Sequence, residues 1–492
     1  MVYSMTDLRP ALFMLGVMLV ALSFSMCIPA IVDFTMSNLD WQVFLFSAVL
    51  GLFAGGALIL TNRTKDFHMS IREAVVMTLL IWTILPLFAS LPFIYGDLSL
   101  SLTDAYFESM SGLTTTGSTV ISGLDTAPPG ILIWRAFLQW FGGLGIIVMS
   151  ISILPKLRIG GLQMFKVEAF DVGGRDNPRM ALISAGITFI FLSLTVVSAI
   201  ALWLAGMSGL EASVHAMTTI ATGGYSTSDA SIKHFDSPLI EAIITVGMIS
   251  GGIPFLLYFK CLQGNFSRLF GDSQVRVYLS ILLFSSLALS AWLVLADGYS
   301  LFDAVRYAPF NVVSIMTGTG YASTDYTLWG SFPIGLLFFL TFVGGCAGST
   351  ACGIKVFRFQ ILYAMAAVQV RRIIYPHGVI VPRYNGGRIE DDIILSVWGF
   401  FFLFFMCFAA LSLGLSVTGL DLVTSLSSAA TAMSNVGPGF GPIVGPSGTF
   451  ETLPSAAKWL LSAGMLTGRL EVFTVIVIFS RTFWNEGAKV FS

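Results

Sequence analysis

Charge is scarce in this sequence. Asp, Glu, Lys and Arg make up 11% of its 492 residues, against about 25% in a soluble domain. That deficit excludes an ordinary water-soluble fold, since 55% of the residues are hydrophobic and the mean hydropathy is +0.85. The net charge of −2 carries no basic excess for a nucleic-acid partner. Cysteine is sparse too. Cys27, Cys261, Cys346, Cys352 and Cys407 lie scattered, mostly in apolar runs, which fits packing better than a disulfide framework or a metal site. The four histidines, His68, His215, His234 and His377, are far apart. No His/Cys/acid constellation converges, so neither enzyme chemistry nor a covalent cofactor is expected.

What the sequence has is long apolar runs. They are long enough for helices to cross a bilayer, and the lipid leaves only helices or closed barrels as spanning structures. Spans are expected at Ala11–Val32, Trp41–Thr61, Glu73–Tyr95, Ile131–Leu154, Met180–Met207, Pro238–Phe259, Val277–Ala296, Phe332–Val368, Ile393–Thr418 and Ala456–Phe483. The first run lacks a small-residue cleavage site and reads as a retained helix rather than a signal peptide. Positive charge sets the orientation. Arg9 and the segments at 63–72, 156–179, 260–276, 355–388 and beyond 480 hold 20 of the 25 Lys and Arg. Arg135, Lys233, Arg306 and Lys458 fall on the other side, and Arg469 falls within a span. Both termini are therefore expected in the cytoplasm.

Four segments between spans cross nothing, yet each contains a short helix-like run: Leu102–Thr114, Leu210–Ala221, Leu301–Met316 and Leu420–Met433. Each opens near an acid (Asp104, Glu211, Asp303, Asp421), which suits the positive end of a helix dipole. Each ends in a glycine turn: Leu113-Thr-Thr-Thr-Gly-Ser-Thr119, Thr218-Thr-Ile-Ala-Thr-Gly-Gly-Tyr-Ser-Thr227, Met316-Thr-Gly-Thr-Gly-Tyr-Ala-Ser-Thr324 and Ser434-Asn-Val-Gly-Pro-Gly439. The turns recur at a spacing of about 100 residues, the mark of internal repetition. Overlaying Ser226-Thr227 on Ser323-Thr324 matches Thr222-Gly223 to Thr319-Gly320.

The expected fold is an all-α polytopic membrane protein. Four pseudo-symmetric helix–pore loop–helix repeats (67–158, 159–265, 266–375, 376–492) surround one pore, and an extra N-terminal helix pair (1–66) precedes them. Glycine lets a loop turn its carbonyl oxygens toward one axis, where rings of carbonyls can replace an ion's hydration shell. Such irregular backbone is tolerated at membrane depth where protein or a water-filled cavity receives it. The candidate ion-binding residues are Thr115, Thr116 and Gly117; Thr222 and Gly223; Thr319 and Gly320; and Asn435, Val436 and Gly437. Glycine turns can also serve helix packing alone, the reading given to Gly51-Leu-Phe-Ala-Gly55. A secondary transporter would predict repeats of opposite topology, whereas each repeat here begins inside and re-enters from outside.

Two features interrupt the expected spans. The run from Phe332 is interrupted by Gly344-Gly345-Cys346-Ala347-Gly348-Ser349-Thr350-Ala-Cys-Gly353, which is poor helix. The glycines at 348 and 353 suggest a phosphate-binding loop, but Ile354 precedes Lys355 and the Gly-Lys-Ser/Thr ending is missing. Arg469 sits mid-span, where a charge costs about 2.5–3.5 kcal/mol on insertion scales. It should face a cavity or an acid rather than lipid, and a structural ion pair would satisfy it.

The four loops resemble those of the Trk/Ktr/HKT superfamily, as do Trp134-Arg-Ala-Phe-Leu-Gln-Trp-Phe-Gly-Gly-Leu-Gly145 and Leu466-Thr-Gly-Arg-Leu-Glu-Val-Phe473. Length and the extra helix pair make the chain most similar to bacterial TrkH/TrkG-type potassium uptake proteins. The resemblance implies a four-fold pseudosymmetric pore in one chain, a homodimer in the bacterial inner membrane, and a cytoplasmic nucleotide-binding regulatory subunit of the TrkA type. It implies filter glycines at Gly117, Gly223, Gly320 and Gly437, with K+ as the only metal. In the family a serine at the first of these positions goes with sodium transport, so Gly117 favours K+; a Na+-dependent or Na+-permeable Ktr-type protein is the alternative. The resemblance further implies that Gly344–Thr350 is an intramembrane gate with Arg469 beside it. The regulator's dock on the basic stretches Lys156–Arg179 and Arg371–Arg388 is implied by the family alone.

Overall fold

A computed structural model describes residues 7–63, 70–152 and 178–485. The repeat boundaries expected at 66 and 158, most of the basic stretch Lys156–Arg179, and Lys65 and Lys489 lie outside the described residues. Helices dominate. The one sheet among the described residues is a two-residue ladder pairing Arg383–Tyr384 with Gly387–Arg388, within the second basic stretch.

Among the described residues, seven helices are long and apolar enough to cross a membrane: Arg9–Thr35, Trp41–Thr61, Arg72–Tyr95, Pro129–Met149, Leu182–Leu204, Ser273–Leu295 and Asp391–Val417. Two further runs, read from the sequence as continuous spans, are broken. Pro238–Gly251 and Phe255–Leu262 meet at 92°, and Ser455–Arg469 and Val472–Phe479 at 114°. The first break falls at Gly252-Ile253-Pro254, where proline has no amide to donate and its ring obstructs the preceding turn. The interruption expected after Phe332 is present: helix stops at Val343 and resumes at Val356. Side chains such as Phe53, Val196, Trp203, Phe284 and Val417 are exposed on the helices, as a lipid-facing surface requires.

The N-terminal helices pack through small residues. A Cβ on Gly55 would stand 2.8 Å from the Gly16 carbonyl oxygen, and one on Gly16 equally close to that of Gly55; Gly51 lies against Ser23. The backbones can approach because no side chain intervenes. Asp33, fully buried, joins this pair to the pore by accepting a 2.6 Å bond from the Gly130 amide. That carboxylate sits at the positive end of the helix Pro129–Ser152.

The pore helices are Leu102–Leu113, Gly209–Ile220, Leu301–Thr317 and Leu422–Ser434. Serine, not the acid, caps three of them. Ser101, Ser208 and Ser300 accept from the amides of Asp104, Glu211 and Asp303, and the Glu211 carboxylate in turn accepts from Ser208 N. In the fourth, Asp421 is itself the cap and accepts from Thr424 N. Each pore helix packs on the inner helix of the preceding repeat: the second on Pro129–Ser152, the third on Pro238–Gly251, the fourth on Ser331–Val343, and the first on Ser455–Arg469. This rotation closes the four repeats into a ring.

The glycine seam of the N-terminal pair gives a direct test. Gly55→Val overpacks it, and we expect a loss of about 1–3 kcal/mol, read as an earlier thermal unfolding transition of the purified protein.

Candidate cation-conduction site

All four pore helices end in one backbone motif. Thr115, Thr222 and Asn435 take φ of +53°, +50° and +51°, and Gly318 takes +80°. Their amides reach back to the carbonyls of Gly112, Thr219, Ala432 and Ile315. For β-branched threonine this left-handed turn is an outlier, held only where its surroundings over-determine it. Two residues further on stand Gly117, Gly224, Gly320 and Gly437, the first three at φ +87°, +80° and +83°.

This corrects the register of loop two. Gly224, not Gly223, corresponds to Gly117 and Gly320, and Gly318, not Thr319, corresponds to Thr222. The Ser-Thr pairs misled the overlay because Ala322 is an extra residue; matching Tyr225 to Tyr321 gives the structural register. Gly223 has another role. Its carbonyl accepts a 2.6 Å bond from Gln139 Nε2, and Gln139 Oε1 accepts from the Tyr225 amide at 3.0 Å.

The loops touch in cyclic order. A Cβ on Gly117 would collide with the Gly223 carbonyl, and one on Gly224 with that of Thr319. On Gly320 it would come within 2.7 Å of Gly437 N, and on Gly437 within 2.9 Å of the Gly117 oxygen. Thr115, Thr116, Gly117, Thr222, Gly223, Thr319, Gly320, Asn435, Val436 and Gly437 are thus brought together around one centre. Loops one and four are also cross-tied, by Ser118 Oγ to Gly437 O at 2.8 Å and by Asn435 Nδ2 to Thr116 Oγ1 at 3.0 Å.

A buried ion pair stands behind loops one and two. Arg135 Nε lies 2.8 Å from Glu108 Oε1, with side chains 1% and 0% exposed. Arg135 also donates to Ser226 O and Thr119 Oγ1, and its guanidinium lies 4.0 Å from the Tyr225 ring centre. Tyr225 donates its hydroxyl to Glu108 O at 2.8 Å. Arg135, Glu108 and Tyr225 thereby tie loops one and two together.

Directly below, the interruption Gly344–Lys355 is strapped to the first break. Cys346 N donates to Gly252 O, Thr350 N to Gly251 O, Phe255 N to Gly348 O, and Ala347 N to Gln274 Oε1. Ser349 Oγ closes a turn onto Cys346 O. Gly344 and Gly348 adopt positive φ, while Gly345 packs closely on Ala351. The residue that meets the ring is Cys352, whose Sγ lies 3.7 Å from Thr115 Oγ1. Arg469 spans the same level, donating to Cys352 Sγ at 2.6 Å, Thr350 O at 3.3 Å and Gly142 O at 3.1 Å. The nearby acid, Glu471, pairs with Arg358 and Lys355. Lys355 and Arg358, counted among cytoplasmic loop charges in the sequence, are therefore buried at a helix break. Among the described residues, no three His, Cys, Asp or Glu side chains gather as a metal site.

A family model described as TrkH, cation transport protein, matches residues 41–486. The chain belongs to the TrkH family. It is 43% identical over 478 residues to the Trk system potassium uptake protein TrkI of Halomonas elongata, covering 97% of each chain. It is 36% identical to the Trk system potassium uptake protein TrkH of Escherichia coli K12, covering 96% of this chain and 98% of that one. The crystal structure of the potassium transporter TrkH from Vibrio parahaemolyticus superposes with a TM-score of 0.90 at 36% identity, covering 97% of this chain and 99% of the other.

In this TrkH-family chain a cavity of about 80 Å³ opens outward from the ring, lined by Gly117, Gly224, Gly320 and Gly437 with Asp229 among its walls. Its loops form a second closed belt. Asp229 accepts from the amides of Gly123 and Leu124, Ala322 N donates to Ser231 Oγ, Ser447 donates to Asp325, and Ser122 donates to Glu451. Asp125 is held below the ordinary carboxylate range, first by its Ser228 hydrogen bond and then by the Asp229 amide. Sequence reasoning missed Gly224, Gln139 and Cys352. Only the first left a signal there, the shared Gly-Tyr step.

Breaking the Arg135–Glu108 pair from one side strands a buried charge. Arg135→Met should cost about 3–5 kcal/mol in denaturant unfolding of the solubilised protein, and Arg135→Met with Glu108→Gln should recover part of that loss.

Proposed function

We propose that this TrkH-family membrane protein mediates K+ uptake across the bacterial inner membrane, with the four-loop ring as its selectivity filter. The observation that carries the reading is the ring itself: four loops from four repeats, in one backbone conformation, touching in cyclic order. Flexible carbonyl dipoles around one axis can replace the hydration shell of a monovalent cation. Glycine at Gly117, Gly224, Gly320 and Gly437 lets the backbones come close enough for that. Relatives named as potassium uptake proteins over nearly their whole length support K+ as the ion. The membrane potential favours cation entry by about 2.3 kcal/mol per charge per 100 mV.

In this reading Cys352, the loop from Gly344 to Thr350, and Arg469 obstruct the path below the filter. The guanidinium adds a fixed positive charge where the next cation must pass. A cytoplasmic nucleotide-binding subunit of the TrkA type, acting on a homodimer, would relieve the obstruction from the basic cytoplasmic face. No cofactor beyond the transported ion is invoked, and both termini lie in the cytoplasm. The transporter character of the family argues against an enzyme.

The test is ⁸⁶Rb+ uptake into liposomes holding the purified protein, with and without the regulatory subunit and nucleotide. Excess K+ should suppress uptake and excess Na+ should not; equal suppression favours the Na+-permeable alternative. Gly224→Ala should reduce uptake at least tenfold more than Gly223→Ala. A methyl at 224, where φ is positive, strikes the Thr319 backbone, whereas one at 223 meets the end of the Gln139 side chain.

A further inference from the structure

Two inner helices break in the same way. Lys355-Val356-Phe357 follows the interruption in repeat three, and Glu471-Val472-Phe473 follows Arg469 in repeat four. Lys355 has φ 77° and ψ 135°, and Glu471 has φ 64° and ψ 125°. Side-chain-bearing residues almost never adopt this conformation, and where they do the strain is held by surrounding structure. Here the holding structure is visible. The two strained residues carry opposite charges and face each other, with Lys355 Nζ 3.9 Å from Glu471 Oε1. Arg358 Nη2 binds Glu471 Oε2 at 2.6 Å, and Arg358 Nη1 donates to Ile354 O at 2.7 Å. The Arg358 guanidinium lies 3.7 Å from the Phe400 ring centre. All three charged groups are buried.

The same two turns carry the groups that sit under the filter. Cys352 is three residues before Lys355, Arg469 is two before Glu471, and the two meet at 2.6 Å. A thiol–guanidinium contact alone is a weak tie. The ion pair just beyond it joins the two backbones at their strained points, so the chains on either side cannot move independently while it holds.

We infer that Lys355, Arg358 and Glu471 are positioning residues of a two-sided hinge, an inference that rests on the transport reading above. The ion pair holds both turns strained, with Cys352 and Arg469 beneath the filter. When the pair parts, the strain relaxes and the two obstructing groups separate. Pairing and strain therefore act in opposite directions on the obstructed arrangement. Losing the pair favours opening, whereas losing the strain favours staying shut.

The experiment uses the full-length protein in liposomes with two readouts. One is basal ⁸⁶Rb+ uptake without the regulatory subunit. The other is the rate of maleimide addition to Cys352, located by peptide mass, which reports on the obstruction whether or not Rb+ is carried. Glu471→Gln should raise both rates, on the order of tenfold. Lys355→Gly, which removes the strained side chain, should give lower rates than Lys355→Met, which removes the charge and keeps the strain. The Rb+ concentration for half-maximal uptake should not change in any variant, because the filter is untouched; damage to the fold as a whole would move it. If Glu471→Gln does not fold, the Lys355 pair of variants decides alone. Labelling in Lys355→Gly that equals or exceeds that in Lys355→Met, or labelling in a folded Glu471→Gln that stays at the wild-type rate, overturns the hinge. Wild-type protein that carries no Rb+ under any condition overturns the transport reading instead, while the labelling comparison still judges the hinge.

Discussion

Irregular backbone at membrane depth has to be held by protein, because hydrocarbon offers its polar groups nothing. The rest of this fold answers that constraint. The four loops cannot hold one another through regular secondary structure, so buried side chains hold them from behind. The Glu108–Arg135 pair, with Tyr225 on its guanidinium face, fixes loops one and two. Ser314 Oγ grips Tyr321 O, and Thr218 meets the Tyr321 hydroxyl, so loop three leans on pore helix two. Asn435 spans from Thr116 to Met465 O and ties loop four to loop one and to its own inner helix. A buried polar network of this kind costs little when every member is satisfied and a great deal when one is lost.

The repeats share an outline but differ below the loops. The first inner helix runs unbroken from Pro129 to Ser152. The other three break, after Gly251, after Val343 and after Arg469. The upper half is thus close to four-fold, and the lower half is asymmetric. On the proposed reading, an ion filter benefits from the first property because similar loops make similar oxygen rings. On the proposed reading, obstruction and release need the second, because the segment Gly344–Lys355 belongs to one repeat and can cross the axis without three copies competing for the space.

Much of this was legible in the sequence because hydrophobic length and acid-headed half-helices are local properties. The positions of the four pore helices, the interruption at Gly344 and the burial of Arg469 follow from them. The register of the second loop did not. Ser226-Thr227 and Ser323-Thr324 look alike, but one extra residue, Ala322, separates them from their glycines by different lengths. The breaks at Pro254 and Glu471 differ in kind. Proline carried a local signal inside an expected span, whereas Glu471 is strained by a partner more than a hundred residues away. Gln139 and Cys352 likewise acquire their roles only through neighbours in other repeats.

The central claim is that Gly117, Gly224, Gly320 and Gly437 enclose the ion path. It is tested most directly by growing crystals in Rb+ and recording anomalous scattering at the rubidium edge. The account predicts anomalous peaks on the axis enclosed by those four glycines and the loop residues just before them, diminished when K+ replaces Rb+ and retained when Na+ is added. Peaks lying outside the ring, or none within it from crystals saturated with Rb+, would contradict it.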